Sequence, residues 1–413
     1  MKVALWRVYH LAMTRFFSLG WVLLTAAVCG VQAQQATWVG TWASAPMDGL
    51  AAFAPGPQGA TYRNIVHVSL GGSAIRVTLS NEFGTRPLRV GAVHAGLSAG
   101  KGAIVVGSDR AVRFDGKDSV VIPAGSVALS DAVALPLPAL GDLAVSVYVP
   151  GAAEAVPVTG HRMAASTNYV ANGNAVAAET MSDARPVPSW FYVKGVDVQA
   201  APGAEGLVVL GASISEGYHS TVDANARWSD ELARRLVARR RGRPVGVMNE
   251  GISGNRLLHD DTGQSALARL DRDVLSQSGA RWVVVALGTN DIGRTYFGRR
   301  AGEDVTAEEM LWAMRQIVLR AHARGMLVMG TTLSPFAGAG YYNAAGETMR
   351  QAVNAGIRND AIFDAVADFD AVTRDPADPT RLQPAMDSGD HLHPNDAGYK
   401  VMGDAIDLKL FER

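Results

Sequence analysis

Residues Gly206–Tyr218, with the sequence GLVVLGASISEGY, decide the fold of the second half of this chain. Leu207–Leu210 form a short, unbroken apolar run, which is typical of a strand buried on both faces of a parallel sheet. The run stops at Gly211, and small and polar residues follow at once. Because ligand crevices of open α/β sheets lie at the carboxyl ends of the strands, Ser213 is a candidate nucleophile. A serine in such a turn is also favoured as a helix cap, so the rest of the chain must supply a base and an oxyanion site.

The composition is that of an ordinary globular protein. The chain has 413 residues, 19% of them charged and 48% hydrophobic, with a formal net charge of −1. This length favours two domains. A net charge near zero gives no support for binding to nucleic acids or to anionic membranes.

The N-terminus has the features of a secretory signal peptide, residues 1–33. Basic residues precede an apolar segment from Phe16 to Cys29, and Val31-Gln32-Ala33 supplies small residues for cleavage after Ala33. The alternative is a retained membrane anchor, for which the apolar segment is short. We therefore expect a secreted or periplasmic protein with no stable membrane span after cleavage.

Cys29 is the only cysteine of the chain, and it lies inside this segment. Bulky Val28 precedes it, where a lipid-attachment site requires a small residue. The mature chain then has no thiol nucleophile, no disulfide and no thiolate metal site. An exported protein of this kind must rely on its hydrophobic core.

Residues 34–200 are predicted to form an all-β accessory domain. Ile65–Leu70 and Ala74–Leu79 alternate apolar and polar residues around Gly71-Gly72-Ser73, which is typical of a hairpin. Further short strand patterns follow with frequent turn residues and no amphipathic helix, which favours a β-sandwich or jelly roll. The segment Gln199–Gly206 is the predicted linker.

Residues 201–413 alternate strand-like and helical patterns instead. Strand-like runs occur at residues 206–210, 245–248, 282–287, 326–333 and 362–369. The clearest helix begins after Thr306, which forms a capping box with Glu309, and it ends at Gly325. Strands that alternate with helices predict a parallel sheet covered by helices on both faces.

Polar groups follow several of these strands and together form a candidate catalytic site. His393 can act as a base toward Ser213, and Asp390 can orient the imidazole. The Ser213 and Gly254 backbone N–H groups and the Asn290 amide are candidate oxyanion donors. Two alternatives stay open at this point: Asn290 and Asp291 form a turn or cap, or His391 and His393 beside an aspartate bind a metal ion.

These residues resemble the four sequence blocks of SGNH (GDSL-type) hydrolases, in the same order. The blocks are Gly211-Ala212-Ser213-Ile214, Gly254 within Ile252–Asn255, Gly288-Thr289-Asn290-Asp291, and Asp390-His391-Leu392-His393-Pro394. The resemblance covers roughly residues 203–413. It implies a three-layer α/β/α, flavodoxin-like fold with a parallel sheet. It also implies Ser213 as nucleophile, His393 as base, Asp390 as its orienter, and an oxyanion hole from Ser213, Gly254 and Asn290.

The chain departs from the family pattern at Ala212, where the family has aspartate. That aspartate supports the nucleophile turn and is not a member of the triad. The substitution therefore raises a question about the rigidity of the turn, but not about the type of reaction.

The sequence predicts an exported serine esterase that uses no metal and no cofactor. A polysaccharide acetyl ester is the first substrate hypothesis, and the runner-up is a lipid, aryl or other short-chain carboxylic ester. A glycan-binding or adhesion protein with a degenerate hydrolase domain is the alternative of another class. The expected partner is a small-molecule or polysaccharide ester, without nucleic acid, and the sequence does not specify an oligomeric state.

Aromatic residues of the β half suggest a contact with flat sugar surfaces. The residues concerned are Trp38, Trp42, Trp190, Phe191 and Tyr192. The competing interpretation is that they form the core of the sandwich, since large aromatic side chains dominate burial.

Overall fold

A computed structural model describes residues 37–151, 157–239 and 241–412. The predicted signal peptide, residues 1–33 with Cys29, lies outside the described residues. In the part that the structure describes, no helix combines the length and the hydropathy needed to cross a membrane.

The first part of the described chain consists of short strands, as the frequent turn residues predict. Its strands are β1 (Thr37–Ala43), β2 (Ala60–His67), β3 (Ile75–Ser80), β4 (Leu88–Val90), β5 (Ala92–Gly100), β6 (Ala103–Ile104), β7 (Arg110–Ala111), β8 (Val120–Ile122), β9 (Val127–Leu129), β10 (Asp142–Val149), β11 (Gly160–His161), β12 (Asn168–Asn172), β13 (Arg185–Val187), β14 (Trp190–Phe191) and β15 (Val193–Ala200). A short 3₁₀ helix, Ala51–Phe53, lies between β1 and β2.

These strands form two main antiparallel sheets that share one core. One sheet has the order β1-β15-β3-β9, and the other has the order β13-β12-β2-β10-β5-β6, with β7 on β5. Val77 and Val196 of the first sheet and Tyr62 and Val145 of the second belong to the same buried cluster. Inward-facing residues of two sheets that form one core define a sandwich. The predicted β-sandwich is confirmed.

The predicted hairpin around Gly71-Gly72-Ser73 is wrong. Strand β2 pairs with β10 and β12, whereas β3 pairs with β15 and β9 in the other sheet. The Gly72 N–H donates to the Leu137 carbonyl at 3.0 Å and the Ser73 N–H donates to the Gln199 carbonyl at 3.1 Å. The connecting backbone is therefore satisfied by other strands, and the chain crosses from one sheet to the other.

The hypothesis that the aromatic residues of the β half face sugars is also wrong for four of them. Trp42, Trp190, Phe191 and Tyr192 are at most 7% exposed and belong to the sandwich core. The Tyr62 ring contacts both Phe191 and Tyr192, at centroid distances of 4.9 and 5.3 Å. Tyr192 has a φ of 59°, so the strand alternation that would separate these neighbours breaks there.

The remainder of the chain alternates strands and helices, as predicted. The strands are β16 (Glu205–Gly211), β17 (Val245–Asn249), β18 (Ala280–Ala286), β19 (Leu327–Thr331) and β20 (Ala365–Ala367). The helices are α1 (Ser213–Glu216), α2 (Trp228–Ala238), α3 (Ala266–Leu270), α4 (Thr289–Tyr296), α5 (Ala307–His322), α6 (Ala344–Asn359), α7 (Phe369–Thr373) and α8 (Asp396–Asp404). Helix α3 continues into a π-helical turn, Asp271–Leu275, and a 3₁₀ helix, Leu408–Glu412, follows α8.

The second half is a three-layer α/β/α domain. Its strands are parallel, in the order β17-β16-β18-β19-β20, which is the flavodoxin-like order. Alternate residues of β16 enter two different cores: Val208 and Leu210 pack with α3, α5 and α6, whereas Leu207 and Val209 pack with α2 and α8. Helices therefore cover both faces of the sheet, and the predicted fold class is confirmed.

Helix α5 begins where the capping box predicts. The Thr306 hydroxyl accepts from the Glu309 N–H at 3.2 Å, and the Glu309 carboxylate accepts from the Thr306 N–H at 2.8 Å. The apolar stripe of α5 is buried and consists of Met310, Leu311, Met314, Ile317, Val318 and Ala321.

The two halves are packed against each other along β1 and β17. The Gly40 N–H donates to the Ser278 carbonyl at 2.9 Å, and the Val247 N–H donates to the Ser69 hydroxyl at 2.7 Å. A Cβ on Gly246 would lie 2.2 Å from the Gly40 carbonyl oxygen, so this close approach of two backbones requires glycine. The strand that ends at Ala200 pairs in antiparallel fashion, and the strand that begins at Glu205 pairs in parallel fashion. All described residues nevertheless belong to one compact unit. The domain boundaries at 33/34 and 200/201 stay predictions.

Candidate active site

Ser213 lies in the turn at the carboxyl end of β16, where the sequence predicts it. The Ala212 carbonyl accepts from the Ser215 and Glu216 N–H groups at 3.0 and 2.9 Å. The buried Arg269 guanidinium donates to the Gly211 carbonyl at 3.1 Å. These bonds hold the turn through its backbone, with alanine at the position where the family has aspartate.

A continuous chain of hydrogen bonds joins Ser213, His393 and Asp390. Ser213 Oγ lies 2.8 Å from His393 Nε2, and His393 Nδ1 lies 2.6 Å from Asp390 Oδ2. Because a carboxylate accepts, Nδ1 carries the imidazole proton, and the Nε2 lone pair faces the serine hydroxyl. The arrangement can remove the proton of Ser213.

The electrostatic surroundings favour a neutral imidazole beside an ionised carboxylate. Burial lowers the pKa of His393 below its ordinary value of 6.5, and Asp390 only partly opposes this. Burial of Asp390 acts to raise its pKa, but hydrogen bonds from the His393 and Leu392 N–H groups and from the imidazole lower it to about 2. At neutral pH His393 is therefore poised to accept a proton.

The three predicted oxyanion donors border one cavity. Ser213, Gly254 and Asn290 line it together with Asp390 and His393, and its volume is about 550 Å³. Within the described residues, the Ser213 and Gly254 N–H groups have no hydrogen-bond partner. The Asn290 amide donates one proton to the Asn255 carbonyl at 3.0 Å, which orients the amide and leaves its second N–H free. Three residues with an unsatisfied N–H group thus line the cavity that contains the serine.

Gly254 is required by its backbone conformation and by its neighbour. Its φ is +80°, and a Cβ there would lie 2.7 Å from Thr262 Oγ1. The left-handed conformation and the threonine side chain therefore both require glycine at this position.

Comparison with known proteins supports this description of the domain. Residues 209–401 match the sequence profile of the GDSL-like lipase/acylhydrolase family. By this match, residues 209–401 form a GDSL-like lipase/acylhydrolase domain. Comparison with curated protein sequences found no match.

Solved structures with similarity to the chain cover about half of it. An acetylxylan esterase from Geobacillus stearothermophilus is 22% identical, over 51% of this chain and 94% of that one, with a TM-score of 0.40. The native aryl esterase of M. smegmatis is 17% identical, over 49% and 95%, with a TM-score of 0.38. A GDSL-like lipase from Bacteroides thetaiotaomicron is 20% identical, over 49% and 85%, with a TM-score of 0.38.

The other histidine of the last sequence block is separate from the chain of hydrogen bonds in this GDSL-like domain. His391 Nδ1 contacts Asp387 Oδ2 at 2.6 Å, and the His391 side chain is 47% exposed. His393, by contrast, is 7% exposed. The structure therefore gives the two histidines different aspartate partners.

A third histidine, to which no sequence motif points, lies beside the same aspartate of the GDSL-like domain. His219 Nε2 is 3.3 Å from Asp390 Oδ2. Ligand atoms of His219, Asp390 and His393 lie within 4.8 Å of one another, a spacing that could hold a metal ion. His393 is already bonded to both Asp390 and Ser213, which favours the use of Asp390 as orienter and of His393 as base.

Asp291 supports the site and does not line it. It is fully buried, and its carboxylate accepts from the Leu257 N–H at 2.9 Å and from the Leu258 N–H at 3.3 Å. Burial raises its pKa to about 6, although these N–H groups oppose the shift. Asn290 thus faces the cavity while its neighbour fixes the loop that follows Gly254. Both residues lie in the first turn of α4, and their side chains also contact residues outside that helix.

Several residues of the cavity wall carry no recognisable sequence signal. The β half contributes Met47, Arg162 and Met163, and the GDSL-like domain adds Glu216, Tyr218, Ser253, Thr262, Tyr341 and Leu392. Met47, Arg162 and Met163 reach this wall only through the packing of the two halves.

Proposed function

We propose that the protein is an exported serine esterase that hydrolyses carboxylic esters through an acyl-enzyme on Ser213. The observation that carries this proposal is the chain of hydrogen bonds from Asp390 through His393 to Ser213, beside a cavity with free N–H donors. Family membership of residues 209–401 supports the reaction class. The alternative of a glycan-binding protein with a degenerate hydrolase domain leaves this constellation without a role.

The geometry supports a two-step acyl transfer. His393 Nε2 takes the Ser213 proton as Oγ bonds to the ester carbonyl carbon, and the carbonyl electron pair becomes an oxyanion. The N–H groups of Ser213, Gly254 and Asn290 stabilise that charge. The C–O bond to the alcohol then breaks, and His393 returns its proton to the leaving oxygen. Water, deprotonated by His393, attacks the acyl-enzyme, and the acid is released while Ser213 regains its proton.

The cavity leaves room for an ester much larger than its acetyl group. Its volume of about 550 Å³ far exceeds what an acetyl group fills, and residues of both halves line it. An acetylated polysaccharide is therefore the substrate class that we propose first. The apolar side chains of Met47, Met163 and Leu392 in the same wall favour an aryl or lipid ester as the second.

Release of acetate and of nitrophenol tests the proposed function. The wild-type protein should hydrolyse para-nitrophenyl acetate faster than its butyrate and octanoate homologues and should release acetate from acetylated xylan. Ser213→Ala should do neither. A wild-type protein that binds acetylated glycans but hydrolyses no ester would favour the non-catalytic alternative.

The pH dependence of kcat/KM should report the protonation of His393. Protonated His393 cannot accept the Ser213 proton, and burial lowers its pKa below 6.5. Asp390, with a pKa of about 2, stays ionised across this range. We expect kcat/KM for para-nitrophenyl acetate to be constant near neutral pH and to fall on acidification, with a midpoint below 6.5. A midpoint above that value would contradict the assignment of a buried, neutral base.

Removal of the Asn290 amide should lower kcat with little change in KM. The free N–H of Asn290 is expected to donate mainly where negative charge develops, and loss of one such donor costs roughly 10²–10³ in kcat. Asn290→Ala is therefore expected to fall in this range with para-nitrophenyl acetate. Asn290→Asp, which has no N–H donor and adds negative charge, should be at least as damaging. A large KM effect at unchanged kcat would instead make Asn290 a ground-state binding residue.

A further inference from the structure

Glu216 is a buried carboxylate in the active-site cavity that the proposed reaction leaves unused. It ends helix α1, which begins at Ser213, and it is 5% exposed. Its Oε2 accepts from the Ser253 N–H at 3.1 Å and also from the Ser253 hydroxyl. Ser253 directly precedes Gly254, whose N–H is a proposed oxyanion donor. Glu216 Oε2 thus holds Ser253, the residue next to that donor, through two hydrogen bonds.

The other oxygen of Glu216 contacts the β half. Glu216 Oε1 lies 2.7 Å from Nε2 of His161, which is on strand β11 and 3% exposed. His161 Nδ1 lies 2.8 Å from the Ala45 carbonyl oxygen, which can only accept, so Nδ1 carries a proton. At 2.7 Å Nε2 and Oε1 are in direct contact, and both side chains are almost fully buried. The imidazole of the β half therefore lies directly against this carboxylate.

This contact defines the position of Glu216 more firmly than its short helix does. An isolated buried carboxylate is unfavourable, whereas a paired and hydrogen-bonded one is stable and fixed in orientation. Arg227 reinforces the junction, because its Nε donates to the Glu216 carbonyl at 3.0 Å and its guanidinium also donates to the Ala164 carbonyl of the β half. Gly254, with its φ of +80°, has no side chain of its own to set the direction of its N–H.

We propose that Glu216, held by His161, is a positioning residue that aims the Gly254 N–H at the oxyanion. The β half is then part of the active site, because it supplies the imidazole that fixes this carboxylate. The inference rests on the proposed esterase function and adds a role that neither residue has in the acyl-transfer steps.

Substitutions at Glu216 separate a positioning role from the mere filling of space. Glu216→Gln keeps an oxygen that can accept from Ser253 and an amide that can donate to His161 Nε2. Glu216→Ala removes both contacts. If the Gly254 donor is misdirected, kcat should fall by roughly 10²–10³ in Glu216→Ala, as after loss of one oxyanion donor, with KM changed by less than about threefold. Glu216→Gln should retain kcat within about tenfold of wild type.

Two further variants keep the test decisive if Glu216→Ala does not fold. Ser253→Ala removes the hydroxyl contact at the cavity wall and keeps the N–H contact, so we expect an intermediate loss of kcat at unchanged KM. Ser278→Ala is the control for the interface, because it removes a 2.7 Å hydrogen bond to Asp197 of the β half without touching the cavity. It should leave kcat and KM unchanged. Circular dichroism and thermal melts identify the folded variants.

Kinetics on para-nitrophenyl acetate then distinguish the inference from the function on which it rests. A wild-type enzyme that depends on Ser213, with Glu216→Ala and Ser253→Ala at wild-type kcat, would overturn the positioning role and leave the esterase standing. A loss of kcat in Ser278→Ala as large as that in Glu216→Ala would overturn it as well. Any weakening of the interface would then be enough to lower the activity. A wild-type protein without hydrolytic activity would overturn both.

Discussion

His393→Ala is expected to lower kcat by about 10⁴–10⁶, whereas His391→Ala should cost less than about tenfold. The structure gives the physical reason for this difference. His393 Nε2 is 2.8 Å from Ser213 Oγ, and its Nδ1 is bound to Asp390. His391 is about half exposed and pairs with Asp387 instead. Only His393 can take the serine proton and return it to the leaving alcohol.

Initial rates with para-nitrophenyl acetate measure both losses. Thermal melts serve as the control for folding, because His391 has a positive φ in a tight loop and its replacement can affect stability. Equal losses in the two variants, or a larger loss in His391→Ala, would contradict the assignment of the base.

Asp390→Asn is expected to lower kcat by about 10⁴. An asparagine amide in this position would donate to His393 Nδ1, and the imidazole proton would then move to Nε2. That nitrogen could no longer accept the Ser213 proton, although the geometry of the site would be nearly unchanged. The loss should therefore appear in kcat without unfolding.

Asp387→Asn is the matched control for this variant. Asp387 accepts from His391 Nδ1 and from the Gly389 and His391 N–H groups, but it does not contact His393 through its side chain. Its substitution should leave kcat within about tenfold of wild type, because an asparagine oxygen can still accept from the loop N–H groups and His393 keeps its own aspartate. Asp390→Asn with near wild-type kcat would show that the orientation of His393 does not depend on this carboxylate.

The parts of the fold that are set by short-range patterns were predictable from the sequence. The apolar run of β16 and the glycine after it indicate a buried parallel strand and a turn that carries Ser213. Helix α5 begins at the predicted capping box, because its two reciprocal hydrogen bonds join residues only three positions apart. The carboxyl ends of parallel strands meet at one edge, so Ser213, Gly254 and Asn290 could be expected to lie together.

Strand pairing in the β half was less predictable, because Gly71-Gly72-Ser73 suits a crossing between sheets as well as a hairpin turn. The direction of the aromatic side chains near Trp190 depends on the positive φ of Tyr192, which the residue type does not predict. The contact between Glu216 and His161 joins the two halves, and neither residue stands in a pattern that points to the other.

Covalent modification by diisopropyl fluorophosphate tests the activated serine most directly. The reagent phosphorylates a serine hydroxyl whose proton is removed by a neighbouring base, and the adduct is stable enough for peptide mass spectrometry. We predict one phosphoryl group per chain, on the peptide that contains Ser213, with loss of hydrolysis in proportion to labelling. Labelling should be absent in Ser213→Ala and strongly slowed in His393→Ala. Inactivation without modification of Ser213, or full activity in a protein modified there, would contradict the account.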